Sequence, residues 1–473
     1  MVEDGSMIRP RFHFTPPDGW LNDPNGLVYL DGEYHLFYQH HPNGLTWGPM
    51  HWGHAVSRDL LHWQHLPIAL YPDEVGMIYS GSAVVDWSNT AGFGAGALVA
   101  VFTYHQADRE SQHLAFSLDR GRTWNRYEGN PVLTPPLGVK DFRDPRVFWH
   151  VDHWVMCLAA GDTIRFFVSS ELKSWTPSGE FGRCGSVEGV WETPDLFPLP
   201  VDGGPETRWV LTVGVGNGGP AGGSGTQYFV GQFDGSTFTS ENPPETILWM
   251  DHGSDFYAPQ SWNEEPHGRR VMLGWMNNWR YANTVPAETW RGMFSLPREL
   301  TLAITEQGVR LAQQPIREIE AHRGEHLHWQ DQAIGPGENL LAGTRGGCLE
   351  ILADLTPDLS VTRFGFRVRV GAEEATVIVC DMAARTLSVD RTRSGQVSFA
   401  DGFAALHSAP LPMDGGEVNL RILLDRSSVE VFAGHGRVTL TESIFPAPES
   451  QGLDLFVEGG LLYIRQLEIY SLD

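Results

Sequence analysis

The sequence predicts an all-β chain: a five-bladed β-propeller followed by a C-terminal β-sandwich. Three features carry that expectation. A serine, acid and tryptophan signature recurs through the first half of the chain. A second series of polar motifs, most of them bearing proline, runs out of phase with it. The last third alternates apolar and polar residues between turn signals.

The first series comprises Ser57-Arg58-Asp59-Leu60-Leu61-His62-Trp63, Ser117-Leu118-Asp119-Arg120-Gly121-Arg122-Thr123-Trp124 and Ser169-Ser170-Glu171-Leu172-Lys173-Ser174-Trp175, with Phe233-Asp234-Gly235-Ser236-Thr237-Phe238 as a looser copy. The second copy has the form of an Asp-box, in which aspartate and glycine close a tight turn and tryptophan packs beneath it. The three clear copies start 60 and 52 residues apart, a period that suits one four-stranded antiparallel blade with generous loops. The out-of-phase series is Asn22-Asp23-Pro24, Ser80-Gly81-Ser82, Arg143-Asp144-Pro145, Glu192-Thr193-Pro194 and Asp255-Phe256-Tyr257-Ala258-Pro259. Stretches such as Tyr34-His35-Leu36-Phe37-Tyr38 and Gly96 to Phe102 read as the intervening strands. Five repeats fill residues 1–305, which places the polar motifs on the inner strand of each blade. Residues 306–326 read as a connector, partly helical, and residues 327–473 as the sandwich, with Val429 to Ala433 as one of its strands.

Composition narrows the function. At 473 residues the chain exceeds one core of ordinary size, so two domains are expected. Lys+Arg 33 against Asp+Glu 58 gives a net charge of -25, which argues against nucleic acid or another polyanion and for a neutral substrate. Cys157, Cys184, Cys348 and Cys380 form no Cys-x-x-Cys pair, so neither a disulfide framework nor a zinc knuckle is expected. No run of about 18 apolar residues occurs, so no membrane association is expected. Met1 to Ser6 reads as an extension ahead of a start at Met7, and no secretory leader is recognisable. The chain as given therefore reads as cytoplasmic, with a processed secreted enzyme as the alternative. Its oligomeric state is not legible.

The acids of the second series carry the chemistry. Glycoside hydrolysis needs two carboxyl groups flanking the sugar bond, one attacking the anomeric carbon and one delivering a proton. Asp23, Asp144 and Glu192 are 121 and 48 positions apart, yet inner strands of different blades bring such residues to one funnel. Proline beside each acid is tolerated because an inner strand has an unpaired edge. The competing reading is that each acid only caps a turn before proline.

Trp20 to Gly26, Phe142-Arg143-Asp144-Pro145 and Trp191-Glu192-Thr193-Pro194-Asp195 resemble the three signature boxes of glycoside hydrolase family 32, the β-fructofuranosidases. Tyr38-Gln39, Trp47 to Ala55, Tyr79 to Ser82 and Asp425 to Phe432 agree with it, so the resemblance spans almost the whole chain. Within the family, Trp47 to Asp86 and the loop Gly222 to Phe229 look most like levanase and exo-inulinase type fructan β-fructosidases. The resemblance implies a propeller and sandwich and a retaining, exo-acting release of fructose from levan, inulin, fructo-oligosaccharides or sucrose. A fructosyltransferase and a non-catalytic fructan-binding protein are the alternatives.

By the same resemblance Asp23 is the nucleophile, Glu192 the acid/base and Asp144 the holder of fructose hydroxyls, with Arg143 keeping Asp144 ionised. A retaining pair places Asp23 and Glu192 about 5 to 5.5 Å apart, against about 9 Å for inversion. Trp20, Asn22, Gln39, Trp47, Tyr79, Ser80, Arg143, Tyr257 and Trp275 match the fructose subsite, a mixture of amides, hydroxyls and rings suited to a furanose. Each aromatic has blade packing as its competing explanation. Asp195 and Asp255 are lesser candidates for bonding the arginine or the sugar. Thr193 departs from the cysteine of many family members and offers Glu192 a hydroxyl. No cofactor or metal is expected, since a strand sends His51 and His54 to opposite faces. Gly214 to Gly219 lacks the helix a nucleotide loop requires, and Arg291 to Arg298 reads as blade closure.

Overall fold

The computed structural model describes residues 8–107 and 109–472; the extension read ahead of Met7 lies outside them. Strands dominate, and one short 3₁₀-helix, Arg317–His322, is the only helix among the described residues. The chain builds a β-propeller followed by a β-sandwich.

Five antiparallel sheets succeed one another up to Pro315. Their first strands are Gly19–Leu30, Met77–Asp86, Arg143–His150, Trp191–Pro200 and Tyr257–Ser261. Each packs against the next, and the fifth returns to the first. Trp290–Arg291 closes the circle by pairing in parallel with Gly19–Leu30, Gly19 opposite Trp290, the closure expected of the segment from Arg291. Apolar side chains seal the interfaces: Val155 and Phe166 of the third sheet pack with Trp191, Leu211 and Phe229 of the fourth.

The recurrent acid and tryptophan signature forms the turn between the third and outermost strands. Asp59 accepts the N–H groups of Leu61 and His62, Asp119 those of Arg122 and Thr123, and Asp234 those of Ser236 and Thr237. In three copies the indole N–H reaches back three residues: Trp63 to the Leu60 carbonyl at 3.1 Å, Trp124 to Gly121 at 3.1 Å and Trp175 to Leu172 at 2.8 Å. The motif thus terminates one strand and aims the next.

The expected connector at 306–326 is shorter than the sequence reading gave. Gly308–Pro315 pairs along its whole length with Arg298–Thr305, a hairpin turned by Gly308, and only the 3₁₀-helix links it to the sandwich. Polar composition around Gln313 and Gln314 hid a strand whose inward residues are Leu311 and Gln313. The sandwich packs a six-stranded sheet, opening with Arg323–Ile334, on a five-stranded one, and Val429 to Ala433 lies in Ser428–Ala433 as expected. Its core, including Ile351, Phe364, Ile378, Val431 and Leu467, draws only on residues of the sandwich.

Buried ion pairs weld the two parts. Arg298 bonds Asp251 at 3.0 Å and Glu430 at 2.6 Å, His13 bridges Asp425 and Glu430 at 2.8 Å each, and Arg391 pairs with Asp255 at 2.5 Å and Glu442 at 2.8 Å.

Candidate active site

Every one of the five inner strands is interrupted at the same level. Asn22 and Asp23, Tyr79 and Ser80, Asp144 and Pro145, Thr193 and Pro194, and Ala258 and Pro259 each set two residues against a single partner on the neighbouring strand. Such bulges bend a strand and re-aim its side chains. The first bulge residue is left-handed in three of them, at Asp144 (φ 65°), Thr193 (φ 46°) and Ala258 (φ 50°), a conformation that costs non-glycine residues on the order of 1 kcal/mol each. Pro145, Pro194 and Pro259 suit positions that have left the ladder. Gly81 stands where the first strand has Pro24, and a Cβ there would meet the Val101 carbonyl at 2.1 Å.

The bulges surround a cavity of about 440 Å³ lined by Asn22, Asp23, Gln39, Trp47, Tyr79, Ser80, Arg143, Asp144 and Glu192, all anticipated, and by His105, Glu110, Asp141, Trp279 and Asn283, which were not. Asp23 accepts hydrogen bonds from Ser80 Oγ at 2.7 Å and Asn22 Nδ2 at 3.1 Å. Burial, reinforced by the charge of Glu192, nevertheless pushes its pKa up to about 6 against the lowering effect of Ser80, Asn22 and Arg143. Both oxygens of Glu192 are engaged: Oε1 accepts Arg143 Nε and Nη2 at 3.2 and 3.0 Å, and Oε2 accepts the Tyr257 hydroxyl at 2.5 Å. Burial and the Glu192 charge hold the Tyr257 phenol well above its ordinary pKa, so it stays protonated and donates.

The expected pairing of Arg143 with Asp144 is corrected. The guanidinium bonds Glu192, Glu110 and Asp141, and Asp144 Oδ2 instead accepts the Thr193 N–H at 2.8 Å. The left-handed bulge at Asp144 re-aims its carboxylate, so that both side chains reach the cavity without bonding one another. Burial drives Asp144 well above its ordinary pKa, opposed by the charge of Arg143 and reinforced by Glu192 and Asp23. Thr193 does not bond Glu192 either: its buried hydroxyl has no hydrogen-bond partner among the described residues and lies toward Gly214.

Three anticipated subsite residues sit behind the wall rather than on it. Trp20 is fully buried and donates its indole N–H to Asn22 Oδ1 at 2.8 Å. Tyr257 is buried against Glu192, and Trp275 is buried between Trp20 and Trp279. The ring on the cavity is Trp279, four residues on, at the end of the same Trp-Met-Asn-Asn-Trp run. Tyr79 stacks on His105 (4.2 Å, 6°), whose Nδ1 lies 3.2 Å from Glu110. No family box contains His105, Glu110 or Asp141; the signal that finds them is their place on or beside hairpins facing the bulges. Gln39 keeps its Nε2 without a partner, a donor held at the cavity for a ligand oxygen.

Asp195 and Asp255 have other work. Asp195 pairs with fully buried Arg146 at 2.8 Å and accepts from Ser261, while Asp255 belongs to the seam with the sandwich. His51 is half-buried and bonds the Pro49 carbonyl, whereas His54 is buried on Phe37 and His35, so they diverge as strand alternation demands.

A polar cavity with a hydrogen-bonded aspartate, a glutamate and aromatic walls has the equipment that glycoside hydrolysis asks for. The glycosyl hydrolases family 32 N-terminal domain matches residues 13–315 and the family's C-terminal domain residues 318–471. The chain belongs to glycosyl hydrolase family 32. It is 52% identical to a levanase of Bacillus subtilis over 98% of this chain and 70% of that protein, and 39% identical to an extracellular exo-inulinase of Aspergillus niger over 98% and 94%. The crystal structure of an exo-inulinase from Aspergillus awamori superposes with a TM-score of 0.93 at 38% identity, covering 100% of this chain and 99% of the other. A β-fructofuranosidase from Schwanniomyces occidentalis complexed with fructosyl-erythritol gives 0.88 at 30% identity, covering 98% and 97%. Among the described residues no helix is long and apolar enough to cross a membrane.

Proposed function

We propose that the chain is a retaining, exo-acting fructan β-fructosidase that removes terminal fructose from levan, inulin, fructo-oligosaccharides and sucrose through a covalent fructosyl-enzyme. One observation carries the reading: Asp23 and Glu192, from sheets far apart in the chain, line one cavity. A cavity of about 440 Å³ is in the range of a small-ligand site, and the exo-acting part of the reading is supported by the exo-inulinases among the relatives. We read the five sheets as five blades, residues up to Pro315 as the catalytic domain, and the carboxyl separation as that of a retaining pair, about 5 to 5.5 Å.

In this mechanism Asp23 attacks the anomeric carbon of fructose while Glu192 protonates the departing oxygen. Glu192 then takes a proton from water, which displaces fructose from Asp23. Ser80 and Asn22 hold the attacking carboxylate in place, and Tyr257 and Arg143 hold Glu192. Asp144 and Gln39 are positioned for fructose hydroxyls, with Trp279 as an apolar wall and Trp47, whose N–H is held by Asn283, at the rim toward the leaving group. A neutral ligand suits the acidic chain, and names among its relatives point to fructans.

Fructose release from levan, inulin and sucrose, with Glu192→Gln as control, tests the proposal. Free fructose from at least one substrate, lost in the variant, is expected. Longer fructans without matching free fructose at high sucrose favour a fructosyltransferase, and binding without turnover by the wild type contradicts both.

A further inference from the structure

We propose that His326, His328 and Glu468, on the six-stranded sheet of the sandwich, form a binding site for a zinc-class divalent transition metal that clips the sandwich's first strand to its last. His326 and His328 lie two residues apart on Arg323–Ile334 and so project to the same side. The neighbouring strand Leu462–Leu472 places Glu468 opposite His328 and Tyr470 opposite His326. Glu468 Oε1 lies 3.8 Å from His326 Nε2 and 3.6 Å from His328 Nδ1, and the three ligand atoms fall within 4.8 Å of one another.

Those separations are too long for hydrogen bonds and short for groups merely passing. A triangle with sides of 3.6, 3.8 and at most 4.8 Å has a point no farther than about 2.4 Å from its corners. Zinc sits about 2.0 to 2.2 Å from imidazole nitrogen and carboxylate oxygen, so small side-chain rotations close the site. Two imidazoles and one carboxylate select zinc and its neighbours over calcium and magnesium, which take oxygen ligands.

The surroundings orient the ligands. The Tyr470 hydroxyl donates to Glu468 Oε2 at 3.0 Å, leaving Oε1 directed at the histidines, and the Tyr470 ring stacks on His326 (4.3 Å, 3°). The nearby cation, Arg323, lies over the Tyr470 ring and is tied to Glu350 at 2.6 Å. The histidines are 42% and 41% exposed, which gives solvent access and leaves open positions for water. Arg323–Ile334 is an edge strand, the kind that frays without a fastening.

The test is calorimetric titration of untagged, chelator-treated full-length protein with zinc, alongside calcium and magnesium. One saturable equivalent of zinc is expected, absent in His328→Ala and Glu468→Gln, and about tenfold weaker in Tyr470→Phe. Zinc should raise the thermal midpoint of the wild type and not of His328→Ala, with sucrose hydrolysis unchanged in that variant. Zinc binding that survives both ligand variants, no zinc binding, or equal binding of calcium at these residues overturns the proposal. Because hydrolysis is read separately, that failure stays distinct from a failure of the catalytic assignment.

Discussion

The funnel and the seam between propeller and sandwich each gather five acids, and they treat them oppositely. At the seam, Asp251, Asp255, Asp425, Glu430 and Glu442 meet Arg298, Arg391, His13 and His407, and nearly every oxygen has a partner. In the funnel, Asp23, Glu110, Asp141, Asp144 and Glu192 line the cavity with one guanidinium, that of Arg143, which among these five pairs only with Glu110, Asp141 and Glu192, and His105 lies beside Glu110. The consequence shows in the titration. Although burial pushes Glu430 up, Arg298 and His13 bring it down to about 2, whereas Asp23 stands at about 6. Balanced charge holds the two parts together. Unbalanced charge in the funnel leaves carboxyl groups able to exchange protons and to receive a sugar that completes their hydrogen bonds.

Asp23→Asn should break the contrast most visibly, lowering kcat by about 10⁴-fold or more through loss of the nucleophile. The same change relieves an ionised carboxylate held at a raised pKa, so denaturant unfolding at pH 7.5 should show it roughly 1 to 2 kcal/mol more stable. Arg298→Met inverts that pattern. It strands Glu430 and Asp251, and the fold should lose about 3 to 5 kcal/mol in the same assay while the folded fraction keeps its kcat.

pH separates the regions further. Burial lowers the His13 pKa, but hydrogen bonds to Asp425 and Glu430 raise it overall to about 9, above the unfolded 6.5. Its stabilisation is therefore complete below pH 6.5 and lost as pH rises through 9, on the order of 3 kcal/mol, and His13→Gln should flatten the stability profile over that window. Tyr257→Phe removes one donor to Glu192, and kcat/KM should fall about tenfold with a displaced pH profile and unchanged thermal stability. The smallest effect is expected of Ser80→Ala: the acid limb of kcat/KM, set near pH 6 by Asp23, should move upward because the serine bond lowers that pKa.

Much of this was legible in the sequence. The Asp-box turns and the out-of-phase acid motifs are local signals, and local chemistry made them readable: Asp119 and Trp124 build their turn from bonds within a few residues. Partners set by tertiary geometry were not readable. Arg143 adjoins Asp144 in sequence, yet a bulge begins between them and the guanidinium bonds Glu192 and Glu110 instead. Trp279 rather than Trp275 faces the sugar cavity because the chain turns sharply between them, and no periodicity encodes which ring remains exposed. Gly308–Pro315 was missed because an outer strand ending in Gln313-Gln314-Pro315 has the composition of a linker.

The account rests on Asp23 carrying the sugar and Glu192 handling the proton. Glu192→Gln, incubated with a fructoside bearing a good leaving group and quenched in acid, should accumulate an enzyme one fructosyl unit heavier, with the added mass on the peptide containing Asp23. The label on Asp144, or turnover by the variant at the wild-type rate without any labelled enzyme, would contradict it.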